Sequence, residues 1–211
     1  MHRHDLVWVD PRADWTPLTP GAGARLQAWL QAGHPLVVAR RDPGTDGTQQ
    51  RLGVPLPLAE GRQRLSLRCA PDGIVKHAPP PSLAAVIQAL PAALRPPLLA
   101  LQASTSELAP ARVFGSYAWQ ALTGATYLRP DSDLDLLWEV QDVVQADVVC
   151  ARLRHWEAAG TLRADGELRF PGQRAVQWRE YAGEARMLLV KGDADCWLSP
   201  RSALPAPRCT A

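Results

Sequence analysis

Three consecutive prolines, Pro79-Pro80-Pro81, constrain this chain more than any other feature. Each ring fixes φ and removes a backbone N–H, so neither a helix nor an interior strand can run through the triplet. The run is stiff and extended. It divides the chain into an expected N-terminal domain over 1–81 and a second domain over 82–211. A length of 211 residues holds two small domains. Hydrophobic residues make up 46% and charged residues 21%, enough to bury cores and too apolar for a disordered chain.

Local patterns fill in both blocks. In the first, Leu6-Val7-Trp8-Val9 is a short apolar strand closed by Asp10-Pro11. Leu26, Trp29 and Leu30 recur at helical spacing, and Gly33 ends that helix. Pro35 to Ala39 reads as a buried strand running into Arg40-Arg41. Leu52 to Leu58, interrupted by Pro55 and Pro57, reads as an edge strand. Arg64 to Arg68 alternates with period two, and Asp72-Gly73 reads as a hairpin-type turn before Ile74-Val75. In the second block Ser82 caps a helix carrying Leu83, Val86, Ile87, Leu90 and Leu94. Ala111 to Phe114 is a strand, Tyr117 to Leu122 a short helix, Asp133 to Trp138 a strand and Gln141 to Ala159 a helix. Leu168 to Phe170, Ala175 to Tyr181 and Ala185 to Val190 follow as strands, and the tail from Pro200 reads as poorly ordered. The expected class is α+β: a small α+β domain followed by a domain with a mixed sheet.

Several function classes drop out. No apolar run approaches the ~20 residues of a membrane span, so no membrane partner is expected. Met1-His2-Arg3-His4-Asp5 lacks the apolar stretch of a secretory signal, and a cytoplasmic location is the expectation. A net charge of +2 is too small for a nucleic-acid partner. Lys76 and Lys191 are the only lysines among 23 basic residues. The rest are arginines, whose planar forks suit phosphate groups. Cys69, Cys150, Cys196 and Cys209 contain no C-x-x-C pair, so reduced thiols are expected rather than zinc or a disulfide framework.

The chemistry concentrates in Gly115-Ser116 and in Ser132-Asp133-Leu134-Asp135-Leu136-Leu137. A glycine after a strand lets a phosphate approach the backbone, and Ser116 opens a helix whose N–H groups favour an anion. On a strand, Asp133 and Asp135 point to one face while Leu134 and Leu136 point to the other. Two carboxylates ~7 Å apart along a strand repel unless a cation sits between them. Mg²⁺, with Mn²⁺ as its substitute, is the hard cation such oxygens take, completed by phosphate and water. A phosphate cradle beside paired metal-binding carboxylates is a phosphoryl- or nucleotidyl-transfer site.

These residues resemble the signature of the DNA polymerase β-type nucleotidyltransferase superfamily. The longer string Gly115-Ser116-Tyr117-Ala118-Trp119-Gln120-Ala121-Leu122-Thr123-Gly124, with Tyr127-Leu128 and Ser132 to Trp138, is similar to the phosphoribosyl-dephospho-CoA transferases of malonate decarboxylase, its holo-acyl-carrier-protein synthases. His4-Asp5-Leu6-Val7-Trp8 and Pro35 to Arg41 are similar to that family's N-terminal region. The interval from Ser116 to Asp133 is longer than is usual in the superfamily.

The resemblance implies a nucleotidyltransferase fold for the second domain. It implies triphosphoribosyl-dephospho-CoA as donor, a serine of the acyl-carrier subunit of malonate decarboxylase as acceptor, and pyrophosphate as leaving group. It also implies a third carboxylate on a later strand. Glu180 is preferred, because Val176, Trp178 and Glu180 would share a strand face, with Glu167 as the alternative. Asp133, Asp135 and Glu180 are thus the catalytic candidates, and Asp133 and Asp135 the metal ligands. Gly115, Ser116, Gln120, Ser132, Arg40 and Arg41 are candidates for the donor's phosphates and nucleotide. Two other readings stay open: a metal-dependent nucleotidyltransferase using ATP on a small molecule or protein, and a catalytically silent nucleotide-binding module.

Overall fold

The computed structural model describes residues 1–40, 42, 44, 47–160 and 162–207. The chain divides into two compact units, one formed by residues 1–80 with 122–127 and the other by 81–121 with 128–211. Helices and two six-stranded sheets among the described residues make the fold α+β.

The first unit contains β1 (Leu6–Val9), β2 (Trp15–Pro17), α1 (Gly23–Gln31), β3 (Leu36–Val38), β4 (Gln50–Pro55), β5 (Arg64–Cys69) and β6 (Ile74–Ala78). Its sheet is antiparallel throughout, in the order β2-β5-β4-β3-β1-β6. The helix buries Leu26, Trp29 and Leu30, the stripe that its spacing predicts. Two expectations are corrected. β4 is an interior strand, paired with β3 and β5. Pro55 is its last residue and Pro57 lies beyond it, so the missing N–H groups interrupt no ladder. Asp72-Gly73 does turn the chain, in a short 3₁₀ segment, but β5 and β6 are not a hairpin: β6 crosses the sheet to pair with β1. That crossing sets Val7 opposite His77, and His77 Nε2 lies 2.7 Å from the buried carboxylate of Asp5.

The second unit contains α2 (Leu83–Ala89), α3 (Arg95–Ser104), β7 (Arg112–Phe114), α4 (Gly115–Thr123), β8 (Leu134–Glu139), α5 (Val143–Ala159), β9 (Ala164–Phe170), β10 (Arg174–Gln177), α6 (Trp178–Ala182), β11 (Met187–Lys191) and β12 (Cys196–Pro200). The last two residues of α4 cluster with the first unit. Ser82 Oγ accepts the Ala85 N–H at 3.2 Å and caps α2, which stops at Ala89 because Pro91 follows. α3, with Pro96 and Pro97 in its first turn, had no sequence expectation. The sheet runs β12-β11-β10-β9-β8-β7, with β8 and β9 parallel and every other pair antiparallel. α5 is the crossover between the parallel pair and buries Ala146, Val149, Cys150, Leu153 and Trp156. The core takes Leu134, Leu136 and Trp138 from β8 and Leu168 and Phe170 from β9.

Two further corrections concern the C-terminal part. The strand expected over Ala175 to Tyr181 ends at Gln177, where α6 begins. The segment after Pro200 is packed as far as it is described. Leu204 is buried, and the Pro205 carbonyl accepts the Val143 N–H at 3.0 Å.

Candidate active site

The site candidates of the second unit gather at the start of β8. Leu134 and Leu136 are buried on one face of that strand, while Asp133, just before it, and Asp135 are half-buried on the other. β7 brings Phe114 opposite Asp135, so the next residue, Gly115, lies against that carboxylate. Gly115 has φ +65°, and a Cβ there would sit 1.8 Å from Asp135 Oδ2. Only a bare backbone allows the acid this close. Ser116 follows as the second residue of α4 and is half-buried. The structure therefore brings Gly115, Ser116, Asp133 and Asp135 into one place.

Arg163 and Tyr117 lie near Asp133. Arg163 Nη1 is 3.8 Å from Asp133 Oδ2, a partly exposed pair of modest strength. Burial, and secondarily the charge of Asp133, push the Tyr117 phenol above its usual range, so it stays a neutral donor at physiological pH.

The remaining candidates have structural engagements. Ser132 Oγ accepts the Arg129 N–H at 2.9 Å and its own N–H returns to the Arg129 carbonyl, which closes the turn leading into Asp133. Gln120 Oε1 accepts the Leu128 N–H at 3.1 Å, so part of its amide braces the loop after α4. Trp119 is core. Arg40 is exposed, two residues beyond β3 in the first unit, and Arg41 lies outside the described residues.

The strand position assigned to Glu180 is corrected: the residue is on α6, and its Oε1 accepts the Leu189 N–H at 2.7 Å. Glu167 is on β9, 6% exposed, with Oε1 3.0 Å from Lys191 Nζ. Asp165 is absent from the candidates that the sequence offers. In the parallel pairing of β8 and β9, Asp165 stands directly opposite Asp135, which puts both side chains on one sheet face. The available signal was the Ala164-Asp165-Gly166 step between α5 and the apolar Leu168, an acid flanked by small residues where a crossover must re-enter the sheet.

Among the described residues no three His, Cys, Asp or Glu side chains already converge on one point. The donor set still suits Mg²⁺. Asp133 and Asp135 supply hard oxygens on one face, and the bare Gly115 backbone makes room for the Asp135 carboxylate where a Cβ would intrude. Mg²⁺ takes only one or two protein carboxylates where substrate phosphates and water complete its shell.

Residues 2–80 match the N-terminal domain of phosphoribosyl-dephospho-CoA transferase MdcG, and residues 82–202 match its C-terminal domain. The chain belongs to the MdcG family. A phosphoribosyl-dephospho-CoA transferase of Xanthomonas axonopodis pv. citri (strain 306) is 51% identical over 211 residues, 99% of each chain. One from Xanthomonas euvesicatoria pv. vesicatoria (strain 85-10) is 49% identical over the same length, again 99% of each chain. One from Bradyrhizobium diazoefficiens (strain JCM 10833 / BCRC 13528 / IAM 13628 / NBRC 14792 / USDA 110) is 37% identical over 199 residues, 90% of this chain and 85% of its own. No solved structure matches. As a member of the MdcG family the protein is an enzyme, a phosphoribosyl-dephospho-CoA transferase. Gly115, Ser116, Asp133, Asp135 and Asp165 all fall inside the match to the C-terminal domain. No helix among the described residues is long and apolar enough to cross a membrane.

Proposed function

We propose that this transferase uses triphosphoribosyl-dephospho-CoA and a divalent ion, Mg²⁺ or Mn²⁺, to modify a serine of the acyl-carrier subunit of malonate decarboxylase. The observation that carries the reading is the contact of Asp135 with the bare backbone of Gly115, which sets the opening turn of α4 beside the Asp133 and Asp135 pair. The name of the family, phosphoribosyl-dephospho-CoA transferase, supports the dephospho-CoA part of the donor. The fold of the second unit is, in this reading, that of a polymerase β-type nucleotidyltransferase.

The bookkeeping of the reaction is that of a nucleotidyl transfer. The serine Oγ–P bond forms at the phosphate next to the ribose. The bond from that phosphorus to the pyrophosphate breaks, and pyrophosphate leaves with the electron pair. When bound, the ion offsets the negative charge that builds on the phosphate oxygens. Asp133 and Asp135 would hold it. Gly115 and the opening turn of α4, with Ser116, bind the phosphates. The proton of the serine hydroxyl passes to a third carboxylate, and we assign that role to Asp165 rather than to Glu180 or Glu167. Its register opposite Asp135 supports this, as do the engagements of Glu180 with Leu189 and of Glu167 with Lys191.

The test uses purified apo carrier subunit with either the dephospho-CoA donor or ATP, followed by intact mass of the carrier and release of pyrophosphate. The wild type should add the phosphoribosyl-dephospho-CoA mass only from its own donor. Asp133→Asn and Asp135→Asn should each lose about 10³-fold or more in rate with unchanged melting temperature. Labelling from ATP alone, or full activity in either variant, would overturn the reading.

A further inference from the structure

We propose that Gln177 is a positioning residue that fixes which oxygen of Asp165 is offered to the divalent ion. The inference rests on the assignment of Asp165 as the third carboxylate, and adds that this carboxylate also ligates the ion through one oxygen. Gln177 ends β10 in register with Glu167, so its side chain lies on the same sheet face as Asp165, one diagonal step away.

Its amide is engaged at both ends. Oε1 accepts the Glu180 N–H at 2.8 Å and caps α6, while Nε2 donates to Asp165 Oδ1 at 2.7 Å. Chemistry settles this orientation. Flipping the amide would set its NH₂ against an N–H and its oxygen against a carboxylate oxygen. Asp165 Oδ1 also accepts the Gly166 N–H at 2.8 Å. Two donors therefore hold Oδ1, and Oδ2 makes no hydrogen bond among the described residues. Gly166 gives the arrangement a stiff base, since with φ +131° it lies tightly against the Leu136 backbone.

The choice of glutamine also needs explaining. Serine, asparagine and aspartate are the favoured helix caps, and glutamine is not among them. A shorter cap would satisfy Glu180 N–H, but it would not also reach Asp165. The length of the side chain is accounted for by its second contact. Partners of this kind fix the orientation of a ligating group and commonly change metal affinity by about 10–100-fold when removed.

Two substitutions separate the capping role from the positioning role. Gln177→Ser keeps a cap and loses the reach to Asp165, whereas Gln177→Leu loses both. Binding of Mn²⁺ alone, followed by its electron paramagnetic resonance signal, should weaken by about 10-fold or more in both variants. Only Gln177→Leu should also lower the melting temperature. In the transfer assay Gln177→Ser should need correspondingly more metal and show a lower kcat, with the KM for the carrier unchanged. If Gln177→Ser binds Mn²⁺ like the wild type while Asp165→Asn binds it weakly, Gln177 is a cap alone and the inference falls. If Asp165→Asn itself binds Mn²⁺ like the wild type, the assignment of Asp165 falls and takes the inference with it.

Discussion

Two glycines of the second unit look alike in sequence and carry opposite consequences. At Gly115 an added Cβ meets the far end of the Asp135 side chain, which can swing away. Gly115→Ala should therefore fold and lose transfer, because the carboxylate is pushed out of its place. At Gly166 the added Cβ meets the Leu136 carbonyl oxygen at 1.9 Å, in a rigid parallel ladder and at φ +131°. Gly166→Ala should cost more than about 3 kcal/mol and yield little folded protein. Circular dichroism melts beside the mass assay separate the two outcomes. Thiols offer a second test at this scale. Burial pushes Cys150 up to about 12 and Cys69 up to about 11. As pH rises past about 8.5 the unfolded chain releases these protons first, so it binds fewer protons than the native state and stability falls. Cys150→Ala should flatten the decline in melting temperature between about pH 9 and pH 11. The acid pair was legible in the sequence because a period-two pattern is local to one strand. Asp165 was not, since its place opposite Asp135 is set by the register of two strands joined through α5. The pairing of His77 with Asp5 was hidden for the same reason, being made by the crossing of β6 to β1.

At the scale of elements, the instructive error is the strand expected through Glu180. Val176, Trp178 and Glu180 satisfy a two-residue period, but a run this short fits one turn of helix nearly as well. The Gln177 side chain decides the matter by capping Glu180 N–H. Substitution tells the two acids, Glu180 and Asp165, apart. Glu180→Gln still presents an oxygen to the Leu189 N–H and should keep transfer within about threefold of wild type, a surface-scale effect. Asp165→Asn should lose about 10²-fold or more, as expected of a proton acceptor. The reverse order in a single-turnover assay would return the role to Glu180. β4 gives a milder lesson. Its prolines were visible, yet an edge position did not follow, because a strand can end on proline and still be interior. β12 had no expectation at all, and its exposed pairing with β11 leaves little hydrophobic alternation to read.

At the scale of the molecule, the triple proline marks the passage from one unit to the next, but the partition is not a single cut. Residues 122–127 belong with residues 1–80. Within that unit the Thr126 carbonyl accepts the Leu58 N–H at 2.9 Å, and the buried Tyr127 donates its hydroxyl to the Pro55 carbonyl at 3.0 Å. Tyr127→Phe should cost about 1 kcal/mol in urea unfolding of the full chain. A fragment of residues 1–80 should be far less stable than the intact protein, since it lacks the whole return segment. A fragment that melts with the full chain would refute the partition. The return segment also bears on how such a gene can change. A single crossover near codon 81 would deliver an N-terminal module without part of its own core. The two blocks are consequently not interchangeable cassettes: a new N-terminal module can be grafted onto this enzyme only if residues 122–127 travel with it.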